Sequence, residues 1–264
     1  MQPGECPLSV YIYSMPKAGT YFFAAFLKAL GLEDTGFHID RMEYLDTRSQ
    51  PMDVNMKAPG KARVKQFFVP VVRRLAPHQV AFGHFPLPIH YEILGQTGFY
   101  VCAYRDPRRT LVSEFIDFRF RRTGVKWALP AAVPDDGAAF LLYLTKQGMK
   151  GHLGIFRDMV LLRSITLSPF CPPILQTNTC FVNFDEIRAN PKAALPLARF
   201  LQVELSEVDV LERLETALGT ETKTKATEIA LDRDALWTDE AEALYAKSRF
   251  PAIKAMAEEL GLEF

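Results

Sequence analysis

Residues 8–31 read LSVYIYSMPKAGTYFFAAFLKALG, and the order of residue types along this stretch decides the fold class. Its first seven residues are short, apolar and rich in β-branched and aromatic side chains, as in a buried strand. Over residues 18–30, Phe22, Phe23, Phe26, Leu27 and Leu30 recur at helical spacing, and Gly31 is placed to end that helix. Lys17, Gly19 and Thr20 stand between strand and helix. A helix's first N–H groups lack internal partners and its dipole puts partial positive charge there, so such a turn suits an anion. Gly19 allows close backbone approach, Lys17 adds a full charge and Thr20 a hydroxyl donor. The competing reading is an ordinary β–α turn with a solvated lysine.

The same alternation returns downstream. Residues 97–104 (TGFYVCAY) form a second buried-strand pattern, and Asp106-Pro107 opens a helix to about residue 122. Residues 136–164 are mostly helical in pattern, and 179–187 (TCFVNFDEI) read as a third strand. Helices follow from Asn190-Pro191 to about 202, over 205–218 and over 238–260. Strands alternating with helices predict an α/β fold, a three-layer sandwich with a central, mostly parallel sheet and helices on both faces. Segments 46–63 and 123–135, rich in Gly, Pro and charge, read as loops able to act as lids. With no repeat and no dividing linker, residues 1–264 read as a single domain.

Lys+Arg and Asp+Glu both number 31, so net charge says nothing about a nucleic-acid or membrane surface and any anion site must be a local concentration of charge. Arg108, Arg109, Arg119, Arg121 and Arg122 read mostly as solvated or paired surface charge, and neither nucleic acid nor membrane is expected as a partner. Cys6, Cys102, Cys171 and Cys180 are scattered without a C-x-x-C pair, which reads as buried free thiols in a reducing compartment. The first residues, MQPGECPL, lack the basic and apolar regions of a signal peptide, and no run approaches the ~20 apolar residues of a membrane span. The expectation is a soluble, cytoplasmic protein.

The loop is not the G-x-x-x-x-G-K-[ST] phosphate loop, because Lys17 precedes Gly19. It resembles the 5′-phosphosulfate loop of sulfotransferases that use 3′-phosphoadenosine 5′-phosphosulfate (PAPS). Pro16, Lys17, Gly19 and Thr20 match that loop; Ala18, Tyr21 and Phe22 depart from it. A second match is YRDPRRTLVSEF (104–115), where Arg105 ends a strand and Ser113 follows eight residues later. In the family an arginine and a serine at this separation hold the nucleotide 3′-phosphate, which a guanidinium can grip through two parallel hydrogen bonds. The competing readings are a salt bridge from Arg105 to Asp106 or Glu114 and a plain helix serine at 113.

The resemblance implies a phosphate-loop-like sulfotransferase fold with PAPS as donor and adenosine 3′,5′-bisphosphate (PAP) as product. It places residues 17–22 around the phosphosulfate, with Phe22 as a stacking face for adenine. Residues 181–203 are similar to a family strand–helix segment in which Phe184 replaces a tyrosine. No Arg-Lys-Gly triplet is present near the C-terminus; Lys223 and Lys225 sit about where it would be, as phosphate contacts or as surface lysines. His84, in a His-x-Pro context with Pro86, matches the family's catalytic base, and His38 can line the acceptor pocket. An imidazole with an ordinary pKa of about 6.5 suits proton removal near neutral pH. The implied reaction is in-line sulfuryl transfer to a hydroxyl or amine of a small-molecule acceptor, with Lys17 stabilising the leaving group and no metal required. The other readings are a nucleotide-dependent phosphotransferase and a nucleotide-binding protein without turnover.

Overall fold

A computed structural model of the chain describes residues 8–40, 43–46, 63–67, 75–84, 98–121, 133–220 and 231–264. Lys223, Lys225 and most of the two expected lid segments lie outside these residues. Seven strands form one sheet: β1 (Ser9–Ser14), β2 (Glu33–Asp40), β3 (Glu43–Asp46), β4 (Arg63–Phe67), β5 (Gln79–His84), β6 (Gly98–Tyr104) and β7 (Thr179–Asn183), in the order β4-β3-β2-β5-β1-β6-β7. The five strands from β2 to β7 are parallel, and β3 and β4 extend the β2 edge antiparallel. The sheet is thus mostly parallel, as the alternation of strand and helix patterns predicts.

Every residue of β1 and β6 is buried, which is why these strands read as continuous apolar runs instead of an alternating pattern. Tyr11, Tyr13, Tyr100 and Cys102 point to one face, where they meet Leu111 and Phe115 of α2 (Pro107–Ile116) and Phe140 of α3 (Asp136–Tyr143). Phe156 of α4 (Met149–Leu167) belongs to the same core. Val10, Ile12, Phe99 and Val101 point to the other face, against Phe23 and Phe26 of α1 (Thr20–Ala29). So α1 leaves β1 toward one face while α2 leaves β6 toward the opposite one. This divergence opens a crevice at the carboxyl ends of β1 and β6, the place where open α/β sheets bind ligands.

Beyond α4 come a short helix, α5 (Pro173–Thr177), then α6 (Phe184–Ala189), α7 (Leu195–Phe200), α8 (Glu207–Gly219), α9 (Asp239–Ala246) and α10 (Phe250–Glu259). Two expectations need correction here. The third strand ends at Asn183 and does not reach 187. The Asn183 side chain accepts from the N–H groups of Asp185 (2.9 Å) and Glu186 (3.4 Å), starting α6 at Phe184. The 238–260 segment is two helices, because Ser248 accepts from the Phe250 N–H and donates to the Tyr245 carbonyl, and Pro251 supplies no N–H in the next first turn. The three described cysteines are free; Cys102 and Cys171 are buried as expected, and Cys180 is only half-buried. Among the described residues no helix is long and apolar enough to cross a membrane.

Gly83 shows how tightly β2 and β5 approach next to His84. A β-carbon there would lie 1.9 Å from the Ile39 carbonyl oxygen and 2.8 Å from the Ile39 nitrogen, both backbone atoms that cannot rotate away. Gly83→Ala should therefore cost about 3 kcal/mol or more, read as a lowered unfolding midpoint in urea. A midpoint equal to that of the parent protein would show that the strands can part at little cost.

Candidate active site

The loop at residues 15–19 lies at the carboxyl end of β1. After β1 the Met15 N–H donates to the Ala103 carbonyl (3.1 Å), and the Ala18 N–H turns back to donate to Met15 (3.1 Å). Lys17 and Gly19 both have left-handed backbone, φ 65° and 83°. For a lysine that conformation costs about 1 kcal/mol or more and is held by its surroundings. At Gly19 the space is also closed, since a β-carbon would lie 2.3 Å from the Phe184 ring. Gly19 caps α1 without a side-chain hydrogen bond, so the positive end of the helix dipole faces the loop.

His84 ends β5, beside β1. Its Nδ1 lies 2.8 Å from the Ser14 carbonyl oxygen. A carbonyl only accepts, so Nδ1 carries a proton, and in the neutral imidazole the lone pair is then on Nε2. The Ser14 hydroxyl lies 3.3 Å from the same Nδ1 and 2.6 Å from the Thr20 hydroxyl, which ties the histidine to the start of α1. The His38 ring packs edge-on against His84 with centroids 5.4 Å apart, and its Nδ1 is 2.9 Å from the Tyr21 hydroxyl. Tyr21 and His38, 17 residues apart in sequence, thus meet beside the candidate base.

The Lys17 ammonium turns inward. It lies 3.4 Å from Asp117, with the two side chains 9% and 1% exposed. Asp117 opens the π-helical turn Asp117–Arg121 that continues α2, a distortion frequent at functional sites. One turn earlier on α2, Glu114 accepts from the Tyr143 hydroxyl (2.5 Å) and lies 2.7 Å from His152 Nε2. Burial pushes the Glu114 carboxyl up, but His152, Tyr143 and the more distant Lys17 outweigh it and hold the group at about 2. Ser113 is half-buried next to this glutamate.

Arg105 pairs with neither Asp106 nor Glu114. Its Nε donates to both Asp185 oxygens at 3.0 Å, its Nη2 lies 3.0 Å from one of them, and its Nη1 donates to the Lys17 carbonyl at 3.4 Å. Asp106 instead caps α2, accepting from the Arg108 N–H, and pairs with Lys254 at 2.8 Å. Phe184 lies 5.3 Å below the Arg105 guanidinium and covers Gly19. Phe22 is 7% exposed and enclosed by Phe23, Phe26 and Phe184. Its ring belongs to the apolar core, so the stacking face expected of it for a base is not presented at the loop. Among the described residues no group of His, Cys, Asp and Glu side chains is arranged to hold a metal ion.

No family model and no curated protein matches the chain. Solved structures do match its architecture. The mouse sulfotransferase SULT7A1, complexed with PAP, aligns over 97% of this chain and 91% of its own, with a TM-score of 0.57 and 12% identity. The fold is that of a sulfotransferase. Retinol dehydratase, in complex with androsterone and the inactive cofactor PAP, aligns over 80% of this chain and 64% of its own, with a TM-score of 0.49 and 15% identity.

Within this sulfotransferase fold, Lys17, Gly19, Thr20, Tyr21, His84, Arg105 and Phe184 come together around the crevice. Four further residues touch these side chains or Glu114 and escape a reading of the sequence: Asp117, His152, Tyr143 and Asp185. The first three face Lys17 or Glu114 from α2 and its π turn, α3 and α4, and nothing in their local sequence marks them. Asp185 had a signal, being next to Phe184 in a segment already singled out, but only folding brings it to Arg105, 80 residues away.

Proposed function

We propose that this chain is a single-domain, cytoplasmic sulfotransferase that moves a sulfuryl group from PAPS to a hydroxyl or amine of a small-molecule acceptor. The observation that carries the reading is His84 beside the Lys17–Gly19 loop, with Nδ1 committed to the Ser14 carbonyl at 2.8 Å, which in the neutral ring puts the lone pair on Nε2. When bound, PAPS supplies an activated sulfuryl group on a good leaving group. His84 Nε2 takes the proton from the acceptor's nucleophile as its bond to sulfur forms. The Lys17 ammonium and the first N–H groups of α1 hold the negative charge on the leaving side, which requires Lys17 to turn from Asp117 toward the loop.

Arg105 binds the 3′-phosphate, and Ser113 completes that contact. Ala18, Gly19, Thr20 and Tyr21 bring backbone and hydroxyl donors to the 5′ side. Phe184 packs under Arg105 and keeps the loop closed toward the core. The donor set fits a nucleotide with two separate anionic groups: a buried ammonium, two arginines at one carboxylate and a glycine cradle lie around the same loop.

Thermal unfolding with PAP, 5′-ADP and ATP/Mg²⁺ side by side tests the reading. PAP at 100 times its Kd adds about 2.7 kcal/mol and raises the midpoint by roughly 5–10 °C, with a much smaller shift for 5′-ADP. A larger shift with ATP/Mg²⁺ would favour a phosphotransferase, and no shift with PAP would remove the donor assignment.

A further inference from the structure

The Arg105–Asp185–Arg109 arrangement has a consequence for how tightly a phosphate can be held, given the reading above in which Arg105 takes the 3′-phosphate. A guanidinium offers two forked edges to a carboxylate or phosphate, Nε with Nη2 and Nη1 with Nη2. Asp185 accepts from Nε with both oxygens at 3.0 Å, and one of them also lies 3.0 Å from Nη2. Asp185 thus covers the Nε–Nη2 edge; the Nη1–Nη2 edge keeps the second Nη2 N–H, but its Nη1 already donates to the Lys17 carbonyl at 3.4 Å. The same carboxylate pairs with a second guanidinium: Arg109 Nη1 lies 3.2 Å from its other oxygen. Two arginines, one just after β6 and one in the first turn of α2, therefore converge on one carboxylate. It adjoins the loop at residues 15–19, because Arg105 Nη1 also donates to the Lys17 carbonyl.

We infer that Asp185 is an internal counter-anion that competes with a nucleotide phosphate for Arg105 and Arg109, and that Arg109 is the second arginine of that phosphate site. The Asp185 backbone is fixed by the Asn183 cap at 2.9 Å, so the carboxylate stays near the site and yields by side-chain rotation. A phosphate entering between the two guanidinia meets like charge from Asp185 until it does so. Arg109 is 62% exposed, against 12% for Arg105, so it has room to follow the incoming anion while Arg105 stays in place over Phe184.

Calorimetric titration of PAP and 5′-ADP into the parent protein, Asp185→Asn and Arg109→Gln tests the inference. Asparagine still accepts a hydrogen bond but no longer repels an anion. Asp185→Asn should bind PAP about tenfold more tightly, and Arg109→Gln about tenfold more weakly, the scale of one charge contact at a partly buried site. Affinity for 5′-ADP, which has no 3′-phosphate, should hardly change in either. Unchanged or weaker PAP binding in Asp185→Asn, or unchanged binding in Arg109→Gln, overturns the inference. If Asp185→Asn does not fold, Arg109→Gln decides alone, since it leaves the Arg105–Asp185 pair intact. A parent protein that does not prefer PAP to 5′-ADP sinks the functional reading as well; one that does, with variants that change nothing, sinks only this step.

Discussion

With asparagine in place of His84, kcat should fall by about 10²–10⁴-fold, the usual contribution of a positioned general base. Asparagine is the informative choice because its amide can still donate to the Ser14 carbonyl, as His84 Nδ1 does at 2.8 Å. The loop contact survives while the lone pair at Nε2 disappears. PAP affinity should consequently stay near that of the parent protein, so that the loss falls on kcat. The pH dependence supplies a second readout. A base works only when deprotonated, so the parent rate should fall as the pH drops through the imidazole's titration, and the variant should lack that acidic limb. A variant within tenfold of the parent, or one that keeps the limb, would assign the proton to another group.

Lys17→Met should lower kcat by about 10²–10³-fold, the effect of removing one preorganised donor to developing negative charge. Methionine keeps the length of the stem without the ammonium. The substitution also removes a cation 3.4 Å from Asp117, a carboxylate with 1% of its side chain exposed. Breaking a buried pair from one side destabilises by up to about 3–5 kcal/mol. The two effects are separable. Adding Asp117→Asn to Lys17→Met should restore much of the lost unfolding midpoint and none of the lost turnover. If the double variant regains activity with stability, Lys17 is a structural cation and the leaving-group role falls.

The first thirty residues determine a great deal without the rest of the chain. A seven-residue β-branched and aromatic run, a lysine–glycine turn and an amphipathic helix are local patterns, and β1, the loop and α1 appear within two residues of where those patterns place them. Arg105 at a strand end and Pro107 at a helix start are local in the same sense. What the chain could not reveal locally is which charges meet. Arg105 has carboxylates at 106 and 114 within easy reach along the sequence. It pairs instead with Asp185, because β6 and β7 are neighbours in the sheet and the Asn183 cap turns Asp185 toward the crevice.

Phe22 and Phe184 make the same point in apolar terms. Both are aromatic residues near the loop, but α1 packs onto the sheet so that Phe22 is enclosed while Phe184 lies over Gly19. Strand, turn and helix follow from residue order because they are set by backbone sterics and spacing within a few residues. The pairing of Lys17 with Asp117, of Arg105 with Asp185 and of His38 with Tyr21 follows only from tertiary structure. There, strand order and helix packing choose among many possible partners, and burial makes the choice energetically decisive.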